Sequence, residues 1–195
     1  PVSWLRELRA LADRYGILLI LDEVQTGFGR TGQWFAAQAL GVEPDIVCLA
    51  KGIANGFPLG ATAARRELMK QWGAASHGTT YGGSPVSCAA ALETLAVIRE
   101  EDLLANARAQ GAYMLGELRK LQPLSPVIGD VRGLGLMLAV EFVQPGGKAP
   151  NPEAARRVLQ RALEGGTIRL IPPINATREQ VEEGLEIFRQ AALSD

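Results

Sequence analysis

The chain has 195 residues, 47% hydrophobic and 21% charged, a balance that excludes a disordered or fibrous protein and suits one large core or two modest ones. Lys plus Arg number 20 against 21 for Asp plus Glu, so the net charge of -1 offers no bulk attraction to nucleic acid or an anionic membrane, and any phosphate ligand needs a local site. No apolar run approaches the roughly 20 residues of a membrane helix, and the N-terminus carries no export pattern, so a cytoplasmic protein is expected. Cys48 and Cys88 lack C-x-x-C spacing and read as buried free thiols. A single histidine, His77, excludes a His-based metal centre, and no metal is expected. Without a G-x-S-x-G elbow, a Ser/His/Asp triad is also unsupported.

In chain order, Trp4, Leu8, Leu11 and Tyr15 fall at helical spacing, with Gly16 placed to stop a helix over residues 3–15. The charge-free run Ile17 to Leu21 suits a central strand covered on both faces and ends at Asp22 and Glu23. A second strand, Ile46 to Leu49, follows the turn signal at Glu43-Pro44-Asp45 and stops at Ala50-Lys51-Gly52. Both strands thus carry polar groups at their C-terminal ends, where open α/β sheets bind ligands. The glycine-rich text from Gly52 to Gly83 reads as ordered functional loops. Ser84 as N-cap and Pro85 as first helical residue open a helix to about Arg99, and Asp102 starts another. Further on, Val127-Ile128 and Leu136 to Phe142 read as strands, Asn151-Pro152-Glu153 opens a helix, Ile168 to Ile171 is a short strand, and Thr177 with Gln180 forms a capping box. The sequon Asn175-Ala176-Thr177 is read as part of that cap rather than as a glycosylation acceptor. The sum is an α/β fold.

Gly27-Phe28-Gly29-Arg30-Thr31-Gly32 matches G-x-G-x-x-G, but five residues separate it from the preceding strand and no βαβ unit follows, which argues against dinucleotide binding. The more specific constellation is a carboxylate at one strand end, Asp22, and an amine at another, Lys51. A partly desolvated lysine is a nucleophile for carbonyl carbon, and pyridoxal phosphate requires such a lysine, a carboxylate at its ring nitrogen, and hydroxyls or amides for its phosphate. Lys51, Asp22 and Thr79-Thr80 are candidates for those three tasks. A solvated loop lysine and a capping aspartate remain the alternative on spacing alone.

The blocks Leu21 to Gly32, Pro44-Asp45-Ile46-Val47 through Ala50-Lys51-Gly52, Gly56-Phe57-Pro58-Leu59-Gly60, Thr80-Tyr81-Gly82-Gly83-Ser84-Pro85 and Val131-Arg132-Gly133-Leu134-Gly135 closely resemble, in order, the class III aminotransferases. This is the family of pyridoxal-phosphate enzymes that includes 4-aminobutyrate, ornithine and acetylornithine aminotransferases. The resemblance implies part of a fold type I transferase, with a mainly parallel-sheet large domain over residues 1–100, incomplete here, and a small C-terminal α/β domain over residues 101–195. It implies a Schiff base at Lys51, which also moves the proton. Asp22 would pair with the pyridinium nitrogen, Gln25 with the phenolic oxygen, Val24 would pack on the ring face, and Thr80 would bind phosphate across a homodimer with shared active sites. Arg132 would take the substrate carboxylate, the alternative being a surface ion pair. His77 and Arg30 receive no catalytic role.

The implied reaction moves an amino group from an amino donor, such as 4-aminobutyrate or ornithine, to a 2-oxo acid acceptor. The alternatives are a racemase or epimerase of the same family, or a fragment retaining only the fold. Family members are about twice this length, and the missing N-terminal half is expected to leave sheet edges and an apolar face uncovered and, if the chain stands alone, to weaken cofactor binding. At Gly165-Gly166-Thr167-Ile168 the family has a longer stretch.

Overall fold

Helix α1 (Val2–Tyr15) ends where glycine permits a left-handed residue: Gly16 has φ 63° and ψ 30°, and the Gly16 and Ile17 amides donate back to the Asp13 and Ala12 carbonyls at 3.3 and 2.8 Å. The computed structural model describes residues 1–164 and 170–193. Leu5, Leu8 and Ala12 pack with Leu19, Leu21 and Val42, whereas Trp4, Leu11 and Tyr15 are half or more exposed. The helix is apolar on two sides, and spacing alone does not say which stripe faces inward.

Strands β1 (Ile20–Asp22) and β2 (Ile46–Leu49) pair in parallel, with Ile20 opposite Ile46 and Asp22 opposite Cys48. β1 is shorter than expected and lies at an edge of a sheet ordered β1-β2-β3, so Ile17, Leu18 and Ile20 are exposed rather than covered on both faces. Trp4, Leu11 and Tyr15 of α1 are exposed as well, so apolar side chains are left uncovered as expected. β3 (Ala61–Ala64) runs antiparallel to β2 with Leu49 opposite Ala61. This makes the sheet mixed, and its Ala-Thr-Ala-Ala text carries too little β-branched character to have announced a strand.

Asp45 ties this sheet to α1. Its carboxylate accepts from the Leu19 amide at 2.8 Å and Arg9 Nη1 at 2.7 Å, and it pairs with Arg65 just beyond β3. Those bonds, the Leu19 amide first, hold the Asp45 carboxyl below the usual carboxylate range. Short helices α2 (Ala36–Leu40) and α3 (Arg66–Met69) flank the sheet strands in sequence, and α4 (Pro85–Glu100) opens on Pro85 as expected, although the Ser84 side chain makes no capping bond.

The chain divides into two units, Pro1–Leu104 and Ala105–Asp195. The second is built from α5 (Leu103–Leu121), an antiparallel hairpin of β4 (Ile128–Leu134) and β5 (Met137–Phe142), and helices α6 (Pro152–Glu164) and α7 (Arg178–Leu193). Met114, Leu118, Leu136, Val158, Leu185 and Phe188 anchor its core. Gly111 of α5 packs directly on the backbone of Gly135, the hairpin turn at φ 55°. Asn151 caps α6 through the Ala154 amide at 3.0 Å, and Thr177 and Gln180 form the expected reciprocal box at 3.0 and 3.3 Å. The expected strand at 168–171 and the short stretch at 165–168 fall wholly or partly outside the described residues, and Leu170 sits in a bend. Among the described residues no helix is long and apolar enough to cross a membrane.

Candidate functional site

Parallel pairing sets the geometry of the candidate site. Because Asp22 is level with Cys48, the polypeptide leaves β1 at Asp22 and β2 just past Leu49 on the same edge of the sheet, and Lys51 lies three residues beyond Cys48. Adjacent strands are about 4.8 Å apart, so a carboxylate and an amine arise at the carboxyl ends of neighbouring strands. Asp22 is exposed, and its Oδ1 accepts the Val24 amide at 2.9 Å while Oδ2 receives no bond among the described residues. Lys51 adopts φ 48°, a left-handed conformation that costs a side-chain-bearing residue on the order of 1 kcal/mol and that is concentrated at functional sites. Its ammonium makes no ion pair among the described residues.

Val24 and Gln25 follow in the turn immediately after Asp22, Val24 half-buried and Gln25 exposed. The residue between Asp22 and Val24 is the one sequence reading passed over. Glu23 is 2% exposed, and its carboxylate accepts the Ala37 amide at 2.7 Å through Oε1, the Ala36 amide at 3.0 Å through Oε2, and the Thr26 hydroxyl. Glu23 therefore fastens the turn after β1 to the start of α2, satisfying two helix-terminal amides that lack intrahelical partners. A glutamate next to Asp22 in a polar turn carries no sequence signal for burial. The signal was spatial.

The loop between these anchors is the G-x-G-x-x-G segment. Gly32 donates to Gly29 O at 2.9 Å, and α2 begins only at Ala36, so the third glycine opens no helix and the dinucleotide-binding geometry is absent. Burial lowers the Arg30 guanidinium pKa. Phe28, 6% exposed, stands edge-on to Phe35 with ring centroids 5.7 Å apart.

Thr80 is exposed, in a loop whose Thr79, Tyr81 and Gly82 line a cleft of about 580 Å³ with Cys48, Leu49 and Thr62. His77 also lines this cleft, its ring 5.9 Å from that of Trp72. Cys48 and Cys88 are free, as expected, but half-buried rather than fully enclosed. Arg132 belongs to the second unit, where Nη1 bonds Asp130 and Glu141, each at 2.7 Å, and those carboxylates raise its pKa. That is the ion pair weighed above as the alternative. Both bonds use Nη1, which leaves Nη2 and Nε to receive a further carboxylate.

An amine and a carboxylate thus stand at adjacent strand ends of an α/β scaffold, with glycine-rich loops following in sequence. The chain belongs to the class III aminotransferases, whose family model matches residues 1–192. It is 42% identical over 201 residues to the 5-aminovalerate aminotransferase DavT of Pseudomonas putida, covering 97% of this chain and 47% of that protein. It is 41% identical to an alanine/serine racemase of Pyrococcus horikoshii, covering 98% of this chain and 42% of the other. Among solved structures, an amine transaminase from an uncultivated Pseudomonas species in the PLP-bound form superposes with a TM-score of 0.90 at 38% identity, over 98% of this chain and 48% of that one. The chain spans about half the length of the curated relatives it matches.

Proposed function

We propose that the protein is a pyridoxal-phosphate-dependent aminotransferase that moves an amino group from an amino donor of the 4-aminobutyrate or ornithine type to a 2-oxo acid. The observation that carries this reading is the placement of Asp22 and Lys51 at the carboxyl ends of adjacent parallel strands in a chain of this family. The donor set fits the cofactor: a carboxylate oxygen and an amine, neither with a partner among the described residues, the amine in a left-handed turn, and a hydroxyl-bearing loop beside a cleft. When bound, pyridoxal phosphate supplies a carbonyl carbon for amine capture and a ring that accepts electron density. Asp22 holds the proton on the ring nitrogen. Lys51 would hold the cofactor at its carbonyl carbon through Nζ with loss of water and, once displaced by the donor's amine, would move the proton to and from the substrate carbon. Val24 packs on the ring face, Gln25 donates to the phenolic oxygen and Thr80 binds phosphate. Arg132 receives the substrate carboxylate on Nη2 and Nε.

In this reading residues 1–100 are the C-terminal portion of the cofactor-binding large domain with the start of the connecting helix, and 101–195 the small domain. The enzyme is a cytoplasmic homodimer with shared sites. Relatives named for 5-aminovalerate transfer favour a donor whose amine lies far from its carboxylate. A second reading, racemisation of an amino acid by the same residues, is favoured by the 41% identity to the alanine/serine racemase.

The test is reductive trapping on the full-length protein: incubation with pyridoxal phosphate, a visible absorbance spectrum, borohydride reduction and peptide mass mapping. A yellow protein labelled on Lys51, with colour and label lost in Lys51→Ala, is the expected result. No colour, or a label on another lysine, overturns the reading. Incubation of one amino-acid enantiomer without oxo acid then separates the two activities, because only a racemase yields the other enantiomer.

A further inference from the structure

Glu23 reaches Lys51 through a continuous series of contacts. Its carboxylate holds the Ala36 and Ala37 amides, Ala36 follows Phe35, and the Phe35 ring meets Phe28 edge-on. Phe28 in turn lies against Gly52: a Cβ built on Gly52 would stand 3.3 Å from Phe28 Cβ, so the loop rests on the residue directly after Lys51. The Phe28 amide donates to Trp34 O at 2.7 Å, which closes the loop on itself. At its other end Glu23 donates its own amide to Cys48 O at 2.9 Å and accepts from the Gly27 amide at 2.9 Å. Side chains alternate along a strand, so drawing Glu23 inward faces Asp22 outward. The left-handed turn at Lys51 is strained and needs its surroundings to hold it.

We infer that Glu23 is a positioning residue of the cofactor site: its buried carboxylate sets the outward direction of Asp22 and, through Phe35 and Phe28, braces the Lys51 turn. This rests on the proposed use of Asp22 and Lys51. A glutamine at 23 keeps the volume but sets an NH2 group against either the Ala36 or the Ala37 amide, donor facing donor. Proline at 36 removes one of those amides. It fits because residue 36 is the first of α2 and Phe35 before it is extended at φ -138°, ψ 148°, the conformation that a following proline demands.

The experiment uses the full-length protein, with pyridoxal phosphate itself as probe. Glu23→Gln is expected to raise the Kd for pyridoxal phosphate about tenfold, to shift the pH at which the bound cofactor's visible band changes, and to speed hydrogen exchange of the Ile53 amide in cofactor-free protein. Glu23→Gln/Ala36→Pro is expected to recover a substantial part of each loss, while Ala36→Pro alone stays within about twofold of wild type. A folded Glu23→Gln protein with wild-type Kd, band and Ile53 exchange overturns the inference. If Glu23→Gln does not fold, Phe35→Leu, which removes the edge-on ring contact with Phe28, must raise the Kd severalfold, and an unchanged Kd overturns it. Wild-type protein that binds no pyridoxal phosphate sinks the functional reading and this inference together, whereas labelled wild type with an indifferent Glu23→Gln sinks this inference alone.

Discussion

Two glycines five residues apart on α5 are expected to respond to the same substitution with opposite sign. Gly111 is buried, and a Cβ there would overlap the carbonyl carbon and oxygen of Gly135 and stand 2.7 Å from its Cα. All three atoms are backbone, in a turn at φ 55° whose neighbour Leu136 is fully buried, so no side chain can swing aside. Alanine gains about 1 kcal/mol over glycine in a helix interior, but overpacking of this kind costs typically 1–3 kcal/mol and more where rigid backbone must move. Gly111→Ala should therefore destabilise the second unit by about 2 kcal/mol. Gly116 is exposed with nothing within 4 Å of its notional Cβ, so Gly116→Ala keeps only the helical gain and stabilises by about 0.5–1 kcal/mol. The assay is urea unfolding followed by circular dichroism. Fluorescence of Trp4, Trp34 and Trp72, all in the first unit, serves as a control that should not move first. A neutral or stabilising Gly111→Ala, or shifts of one sign for both variants, would refute the packing argument.

Asp45 should govern acid sensitivity in the first unit. Its folded pKa is depressed, so its contribution is present above the unfolded value near 4 and is lost as pH falls through the lower folded value. Asp45→Asn is expected to cost about 2 kcal/mol at neutral pH and to flatten the fall in Trp-monitored stability below about pH 4, and an unchanged pH slope counts against this role. At Arg132, lysine should raise KM for a carboxylate-bearing donor on the order of tenfold while leaving KM for a plain amine unaltered. Equal effects on both donors would reduce Arg132 to the β4–β5 ion pair seen with Asp130 and Glu141.

What was legible in the sequence follows from how local its cause is. Gly16 as a left-handed stop, Pro85 as a helix start and the Thr177/Gln180 box are decided within a few residues, and each stands where local chemistry requires it. The strand ends at Asp22 and before Lys51 were equally readable, because a charge terminates an apolar run. Non-local choices were not readable. Whether α1 turns Trp4 and Leu11 or Leu5 and Ala12 inward depends on Leu19 and Val42, which no spacing rule can see. β3 exists because β2 offers it an edge, not because Ala-Thr-Ala-Ala prefers to be a strand. Glu23 was missed for the same reason: its partners Ala36 and Ala37 lie thirteen and fourteen residues away.

The division of labour at the β1 end follows from one elementary rule. Successive residues leaving a strand face opposite sides, so two adjacent acids cannot serve one surface. Asp22 is exposed, with one oxygen uncommitted among the described residues. Glu23, inward, is committed to three donors and would leave them unpaired if it were removed. Exchanging the two side chains would fail on both counts: an aspartate at 23 is one methylene short of the α2 amides, and a glutamate at 22 loses the short turn to the Val24 amide that orients Asp22. The dipeptide is thus read in order, the first acid turned to solvent and the second committed to the turn and helix start behind it.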